Sequence, residues 1–216
     1  MALRILAFLL GLFVVSPAQA QHGEQHFHRS FDDAEKWSKV FDDPARDAWQ
    51  RPDEVIRALK LPAEGVVADI GSGTGYFAIR LGRALPRARV HGADVSADMV
   101  RFLNERAAKE KLANVTSHRV GDSDPKLPVP VDLVLVVDTY HHIPRRSAYF
   151  EGLKSKLKPG GRLAVIDFRA DSPVGPPPKH RIAPERVIAE MDKAGYALTE
   201  RNDFLPYQYF LVFAPR

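Results

Sequence analysis

The 216-residue chain contains no cysteine. That absence excludes disulfide frameworks, thiolate metal sites and cysteine nucleophiles, so any chemistry must come from histidine, carboxylates, hydroxyls or a cofactor. A block of one charge is missing too: 31 Lys and Arg are interspersed with 27 Asp and Glu, for a formal net charge of +4. So small and dispersed a surplus is not the electrostatic footprint of a nucleic-acid binder. The longest apolar run covers residues 5–15, well short of the ~20 residues that a helix needs to span a bilayer. No internal repeat is visible. What remains is an ordinary soluble composition, 45% apolar and 27% charged, which excludes disordered, collagenous and polytopic membrane chains. The length suits one domain with a short appendage.

Residues 1–20 have the plan of a secretory signal peptide, with Arg4 at the start, the apolar run, and a close in small residues at Ala18 and Ala20. The expected protein is exported, periplasmic or secreted, with no stable membrane insertion once the leader is cut. His22, His26 and His28 follow at once. They read as a polar terminus rather than a metal site, and no metal is expected.

Residues 21–65 are polar and aromatic, with Trp37, Phe41 and Trp49 set among Asp and Arg. They read as a helical cap that either staples itself to the core or forms a lid. One helix is expected over residues 53–60, opened by Pro52 and acidic first-turn residues and stopped by Pro62. From residue 66 to 216, strand and helix take turns. Strands are expected over residues 66–70, 89–95, 115–120, 131–138, 162–168, 197–204 and 207–213, the last two as a hairpin. Phe77, Leu81 and Leu85 recur at helical spacing, as do Met99, Leu103 and Ala107, and then Tyr149, Leu153 and Leu157. The last of these helices is expected to end in a turn at residues 158–161. A further helix is read over residues 184–193. This order implies a parallel sheet covered by helices, with right-handed crossovers.

Between the first strand and its helix lies Gly71, Ser72, Gly73, Thr74, Gly75, preceded by Asp69. Glycines there let the backbone turn sharply and approach a ligand. The third glycine comes one residue earlier than in the dinucleotide fingerprint, and no Gly-Lys-Ser/Thr follows as in a P-loop. Asp94 closes the second strand ~20 residues on, where a carboxylate can accept from both ribose hydroxyls.

With these residues in place the chain resembles the class I S-adenosylmethionine-dependent methyltransferases, closest to small-molecule enzymes of the ubiquinone and menaquinone type. The resemblance runs through five ordered segments: residues 69–75, Asp94, residues 121–123, residues 131–143 and residues 157–162. It implies a Rossmann-like three-layer sandwich whose seven-stranded, mostly parallel sheet has an antiparallel last strand. It also implies that Asp69, Gly71, Ser72, Gly73, Thr74 and Gly75 cradle S-adenosylmethionine, that Asp94 and Val95 hold its ribose and adenine side, that Gly121, Asp122 and Ser123 contact adenine, and that Asp138 lies beside the methyl donor.

Tyr140, His141 and His142 follow the fourth strand, at the carboxyl edge where open α/β sheets bind ligands. An imidazole near its ordinary pKa of ~6.5 can take the proton of a phenol, hydroxyl or protonated amine. His141 or His142 is the expected base, His142 slightly preferred, with Tyr140 shaping the pocket. The chain lacks the Asn/Asp-Pro-Pro-aromatic run of amino-methylating nucleic-acid enzymes, so a small-molecule acceptor is expected, with the Pro-rich residues 173–178 as a rim. Two other readings stay open: a nicotinamide-dependent oxidoreductase, and a nucleoside or adenosylmethionine binder without turnover. The oligomeric state does not follow from the sequence. Cleavage after Ala20 predicts a mature protein that starts at Gln21 in the exported fraction. N-terminal sequencing tests this, and cytosolic protein retaining Met1 would contradict it.

Overall fold

The computed structural model describes residues 31–216, so the expected leader and His22, His26 and His28 lie outside the described residues. Three short helices come first: α1 (Ala34–Phe41), α2 (Asp47–Gln50) and α3 (Pro52–Ala58). The alternating part then runs β1 (Val66–Ile70), α4 (Tyr76–Ala84), β2 (Arg89–Asp94), α5 (Ala97–Lys109), β3 (Val115–Arg119) and β4 (Val131–Val137). It continues with α6 (Arg146–Leu153), β5 (Leu157–Phe168), α7 (Pro184–Lys193), β6 (Tyr196–Asn202) and β7 (Gln208–Pro215). The strands form one seven-stranded sheet in the order β3-β2-β1-β4-β5-β7-β6. β1 to β5 pair in parallel, whereas β7 runs antiparallel to both neighbours. The parallel part is what the alternation of periods predicts, and the Rossmann-like whole with its antiparallel β7 is what the resemblance implies.

The sheet separates two cores. Leu133 and Leu135 of β4 enter the one shared with Val55, Phe77 and Leu103, and Val134 and Val136 enter the one shared with Phe150, Val187 and Met191. Successive strand residues point to opposite faces, so a continuous apolar run is what a strand covered on both faces requires. Those four β4 side chains are 0% exposed, and each stabilises the fold by about 1.5–3 kcal/mol relative to staying in water. Ser96 caps α5 by accepting the N–H of Met99 at 3.4 Å, and the expected Met99, Leu103 and Ala107 face is the buried one.

Two local expectations are corrected. α6 stops at Leu153, and Leu157, assigned to that helix from its spacing, instead opens β5 opposite Val131. The turn at residues 158–161 is a bulge inside β5: the pairing jumps from Val131 with Leu157 to Leu133 with Arg162. Gly160 takes the left-handed region at φ +74, and a Cβ on Gly161 would lie 2.8 Å from the Lys158 carbonyl oxygen. Only glycine passes there. The connection from β3 to β4, residues 120–130, carries no helix. Leu127, 3% exposed, pins it to the core.

α6 and α7 are joined by a buried polar network. Arg146 donates from Nε to Glu190 Oε2 at 2.6 Å and from a terminal nitrogen to Oε1 at 3.0 Å. The Tyr140 hydroxyl donates to Glu190 Oε2 at 2.8 Å, and its ring stacks on Phe150 at 5.4 Å. Burial works to raise the Glu190 pKa, but the Arg146 and Arg186 hydrogen bonds hold it below the usual carboxylate range. A lowered folded pKa gives stability that is present at neutral pH and lost as acidification protonates the carboxylate. Glu190→Ala is expected to cost about 3–5 kcal/mol, because it strands a buried guanidinium. Urea unfolding at pH 7 measures this, and the difference from the parent protein shrinks as the pH falls through the carboxylate range.

Candidate active site

The loop after β1 turns through three glycines in the left-handed region: Gly71 at φ +70, Gly73 at +51 and Gly75 at +92. Side chains are excluded by neighbours as well as by backbone conformation. A Cβ on Gly71 would lie 2.3 Å from Thr139 Oγ1, and one on Gly75 would lie 2.3 Å from Leu103 Cδ1. Asp94 clamps the loop from the end of β2: its Oδ2 accepts the Gly73 N–H at 2.9 Å and its Oδ1 accepts the Ser96 N–H at 2.9 Å. Burial raises the Asp94 pKa, and those N–H groups oppose the rise. Within the loop, the buried hydroxyls of Ser72 and Thr74 have no hydrogen-bond partner among the described residues. Buried polar atoms are normally satisfied, so the loop has hydrogen-bonding capacity left for a ligand. Val95, beside Asp94, leaves its apolar side chain 52% exposed. The Val120 N–H bonds the Asp94 carbonyl at 2.9 Å, which brings the connection carrying Gly121, Asp122 and Ser123 to the same edge. All three of those residues are exposed.

Asp69 and Asp138 form the acidic floor. Burial, with the nearby Asp94 charge, raises Asp69 to about 7, and Arg46 pulls the other way. Asp138 is likewise raised to about 7, by burial first, with Arg46 opposing. It sits at φ +53, a conformation that bends the chain sharply off β4. Arg46, from the turn Pro44–Arg46 between α1 and α2, donates to Asp138 Oδ2 at 2.9 Å and to Gln50 Oε1 at 3.0 Å. Its guanidinium lies 3.9 Å from the Tyr76 ring centroid. Gln50 donates to Gln208 Oε1 at 2.6 Å, and Gln208 donates to Asp138. Arg46, Gln50, Gln208 and Asp138 thus close a ring from the cap to the ends of β4 and β7.

The cap is docked on the domain at two places. It is stapled to α5: the Ala34 N–H donates to Asp98 Oδ2 at 2.6 Å, and Arg106 donates to Asp42 at 2.8 Å and to the Thr74 carbonyl at 3.1 Å. It also roofs the glycine loop, because a Cβ on Gly73 would lie 3.6 Å from the Phe41 ring. Trp37 stacks on Phe41 at 5.3 Å, Phe31 meets Trp37 edge-on at 5.2 Å, and Phe31 meets His142 edge-on at 5.4 Å. This aromatic run reaches from the glycine loop to the histidine pair. On the β5 side, Trp49 packs 5.9 Å from Phe168 and 6.3 Å from Tyr207. The Pro-rich segment folds over the same place, since a Cβ on Gly175 would lie 2.7 Å from the Phe168 ring. Arg181 fixes that segment by donating to the carbonyls of Ala170, Ser172 and Pro176 at 2.8, 2.7 and 2.9 Å.

The two histidines differ. His141 is 6% exposed, and its Nδ1 lies 2.9 and 3.0 Å from the two carboxylate oxygens of Asp167. Burial works to lower its pKa, but the Asp167 charge and hydrogen bond, with Asp138, carry it above the ordinary value. His142 packs beside it, ring centroids 4.2 Å apart, on the end of the aromatic run. Tyr140 does not shape a pocket as expected: its ring is 0% exposed and its hydroxyl is committed to Glu190, so it braces α6 against α7. Arg46, Gln50, Asp167 and Gln208 escaped the reading of the sequence. Asp167 carried a signal, a carboxylate ending a buried apolar strand at the edge where Asp69, Asp94 and Asp138 also stand.

Residues 68–163 match a family model described as a methyltransferase domain. Trans-aconitate 2-methyltransferase of Rhodopseudomonas palustris is 35% identical over 136 residues, covering 62% of this chain and 48% of that protein. The ubiquinone/menaquinone biosynthesis C-methyltransferase of Rhizobium leguminosarum is 32% identical over 170 residues, covering 76% of this chain and 63% of that protein. The chain thus spans about half to two thirds of these relatives' lengths. Among solved structures, a SAM-dependent methyltransferase from Aquifex aeolicus superposes with a TM-score of 0.77 at 27% identity, covering 84% of this chain and 97% of that one. The seven-stranded sheet with its antiparallel β7 is thus the fold of that solved methyltransferase, and the segment that matches the methyltransferase-domain model carries the glycine loop and the clamping Asp94.

Proposed function

We propose that the protein transfers a methyl group from S-adenosylmethionine to a small-molecule acceptor. The observation that carries this reading is the loop of residues 71–75, clamped by Asp94, with its Ser72 and Thr74 hydroxyls buried and unpaired among the described residues. Those atoms, the exposed Val95 and the buried acids fit a ligand that combines a ribose, a flat base and an amino-acid end. Asp94 would accept from the ribose hydroxyls, and Val95 with residues 121–123 would flank the base. Asp69 and Asp138 suit an ammonium, and Arg46, paired with Asp138, brings a cation to the same place for the carboxylate of the same amino acid. The bound cofactor supplies an electrophilic methyl on a sulfonium. The protein's part is to align donor and acceptor and to keep water out, and the aromatic cap is built for the second task.

A small acceptor is supported by the names of the relatives, which act on trans-aconitate and in ubiquinone and menaquinone biosynthesis. Trp49, Phe168 and Tyr207, packed together near the Pro-rich segment, offer such an acceptor aromatic surface. Export rests on the leader pattern of residues 1–20.

Titration calorimetry with S-adenosylmethionine, S-adenosylhomocysteine and NAD tests the assignment. The first two are expected to bind and NAD is not. Binding of NAD alone would overturn the reading. Asp94→Ala is expected to weaken S-adenosylhomocysteine by about 10- to 150-fold, the equivalent of about 1.5–3 kcal/mol for hydrogen bonds to a charged group.

A further inference from the structure

We infer that His91 of β2 and His118 of β3 form a two-nitrogen site for a divalent cation of the zinc and copper group, which would tie the edge strand of the sheet to its neighbour. The site does not depend on the methyltransferase reading above. β3 ends the sheet and pairs only with β2. The register sets His91 opposite Thr116 and Ala93 opposite His118, so the two histidines stand diagonally across adjacent strands. Both lie on the face away from α5. A Cβ on Gly92 would lie 2.8 Å from Leu103 Cδ2 and 3.0 Å from Ser117 Oγ, which gives Gly92 and Ser117 to the α5 face and, by alternation, His91 and His118 to the other. No local spacing in the sequence marks a pair made in this way.

The crossover on that second face, residues 120–130, is the one among those joining β1 to β5 that carries no helix. Val120 and Leu127 cover Ala93 there, and the two histidines are left half-buried. Their ring centroids are 6.4 Å apart, with the planes inclined at 72°. One atom of each ring is nevertheless shut away: Nε2 of His91 and Nε2 of His118 are buried and have no hydrogen-bond partner among the described residues. Buried polar atoms are normally satisfied, so two such nitrogens on neighbouring rings call for a shared partner.

The chemistry of the pair suits a metal. Burial lowers the pKa of both histidines, and for His91 the neighbouring His118 and Arg89 add to the effect. Both imidazoles are therefore neutral at pH 7, the form that ligates. A neutral ring with its proton on Nδ1 offers the Nε2 lone pair. Thr116 Oγ1, 3.5 Å from His91 Nδ1, stands where it can accept from that N–H and hold the ring in this tautomer, as the outer partners of metal-bound histidines do. Imidazole nitrogen suits zinc, nickel and copper, with copper the tightest, whereas magnesium and calcium take oxygen ligands. Among the described residues no third His, Asp or Glu joins the pair in a metal-holding group. Water thus completes the coordination, and the site is weaker than a four-ligand structural zinc. Because the two ligands meet only in the folded sheet, the cation binds the native state and stabilises the edge that β3 forms.

Zinc titration of the whole wild-type protein at pH 7, followed by long-range proton–nitrogen NMR, tests the site one histidine at a time. His22, His26, His28 and the remaining histidines are then read separately from the pair. Zinc is expected to shift the Nε2 signals of His91 and His118 together, and an excess of magnesium or calcium is expected to leave them in place. A pair unmoved by excess zinc would overturn the proposal and assign the two nitrogens to a buried water. A shift of only one of the two would overturn it as well. In a chain carrying His22→Gln, His26→Gln and His28→Gln, the further change His118→Gln is expected to weaken zinc at least tenfold in competition with a chromogenic chelator. It is also expected to remove the rise in Tm that zinc gives. Zinc affinity and the rise in Tm both unchanged in His118→Gln would overturn the site. The NMR titration decides whether or not that variant folds.

Discussion

Carboxylates placed at the carboxyl ends of β1, β2, β4 and β5 set the terms for everything around them. Asp69, Asp94 and Asp167 are 4%, 8% and 1% exposed. A charge taken that far out of water is costly unless it is paired or hydrogen-bonded. Each acid meets the demand differently. Asp94 takes two main-chain N–H groups and so shapes the glycine loop, while Asp167 takes two more and a histidine. Asp138 takes Arg46 and Gln208. Asp69 meets it by holding a proton into the neutral range. Local folding, cap docking and candidate chemistry follow from these four solutions. Parallel β-strands need helical crossovers and so bring their carboxyl ends to one edge, which puts all four acids within one site.

The layout of the domain was legible because it rests on short-range period. The apolar run of β4 and the four-residue spacing of Met99, Leu103 and Ala107 are properties of a single segment. So are the glycine loop and the acid that follows it at the end of the next strand. What escaped was set by register between distant segments. Arg46 meets Asp138 across 92 positions, and Gln50 meets Gln208 across 158. No local pattern marks either pair. The His141 and Asp167 pair depends on how β4 and β5 align, and that alignment is offset by the bulge at residues 158–161. Spacing also misled at Leu157, where an apolar residue in phase with α6 serves a strand, and at Tyr140, whose polar tip belongs to Glu190.

The cap converts a general fold into a particular site. It brings a cation to a floor of acids and an aromatic roof to a loop of glycines, and it does so with helices of 8, 4 and 7 residues. Helices so short are not stable alone. They are held by what they dock onto: Phe41 on the glycine loop, Arg106 to Asp42, Arg46 to Asp138, and Gln50 to Gln208. Order in the cap and order in the ligand edge are therefore the same property.

The antiparallel β7 has a consequence for the order of assembly. It is inserted between β5 and β6, and it supplies Gln208 to the ring that holds Asp138 and Tyr209 to the surroundings of Asp167. β1 to β4 can pair through local crossovers, but the half of the sheet that carries Asp138 and Asp167 waits for β7, the last of the described strands. Pairings of long sequence separation form late, because the loop must be closed before they repay its entropy. During synthesis the glycine loop and its Asp94 clamp can take shape while the His141 and Asp167 pair still lacks one wall.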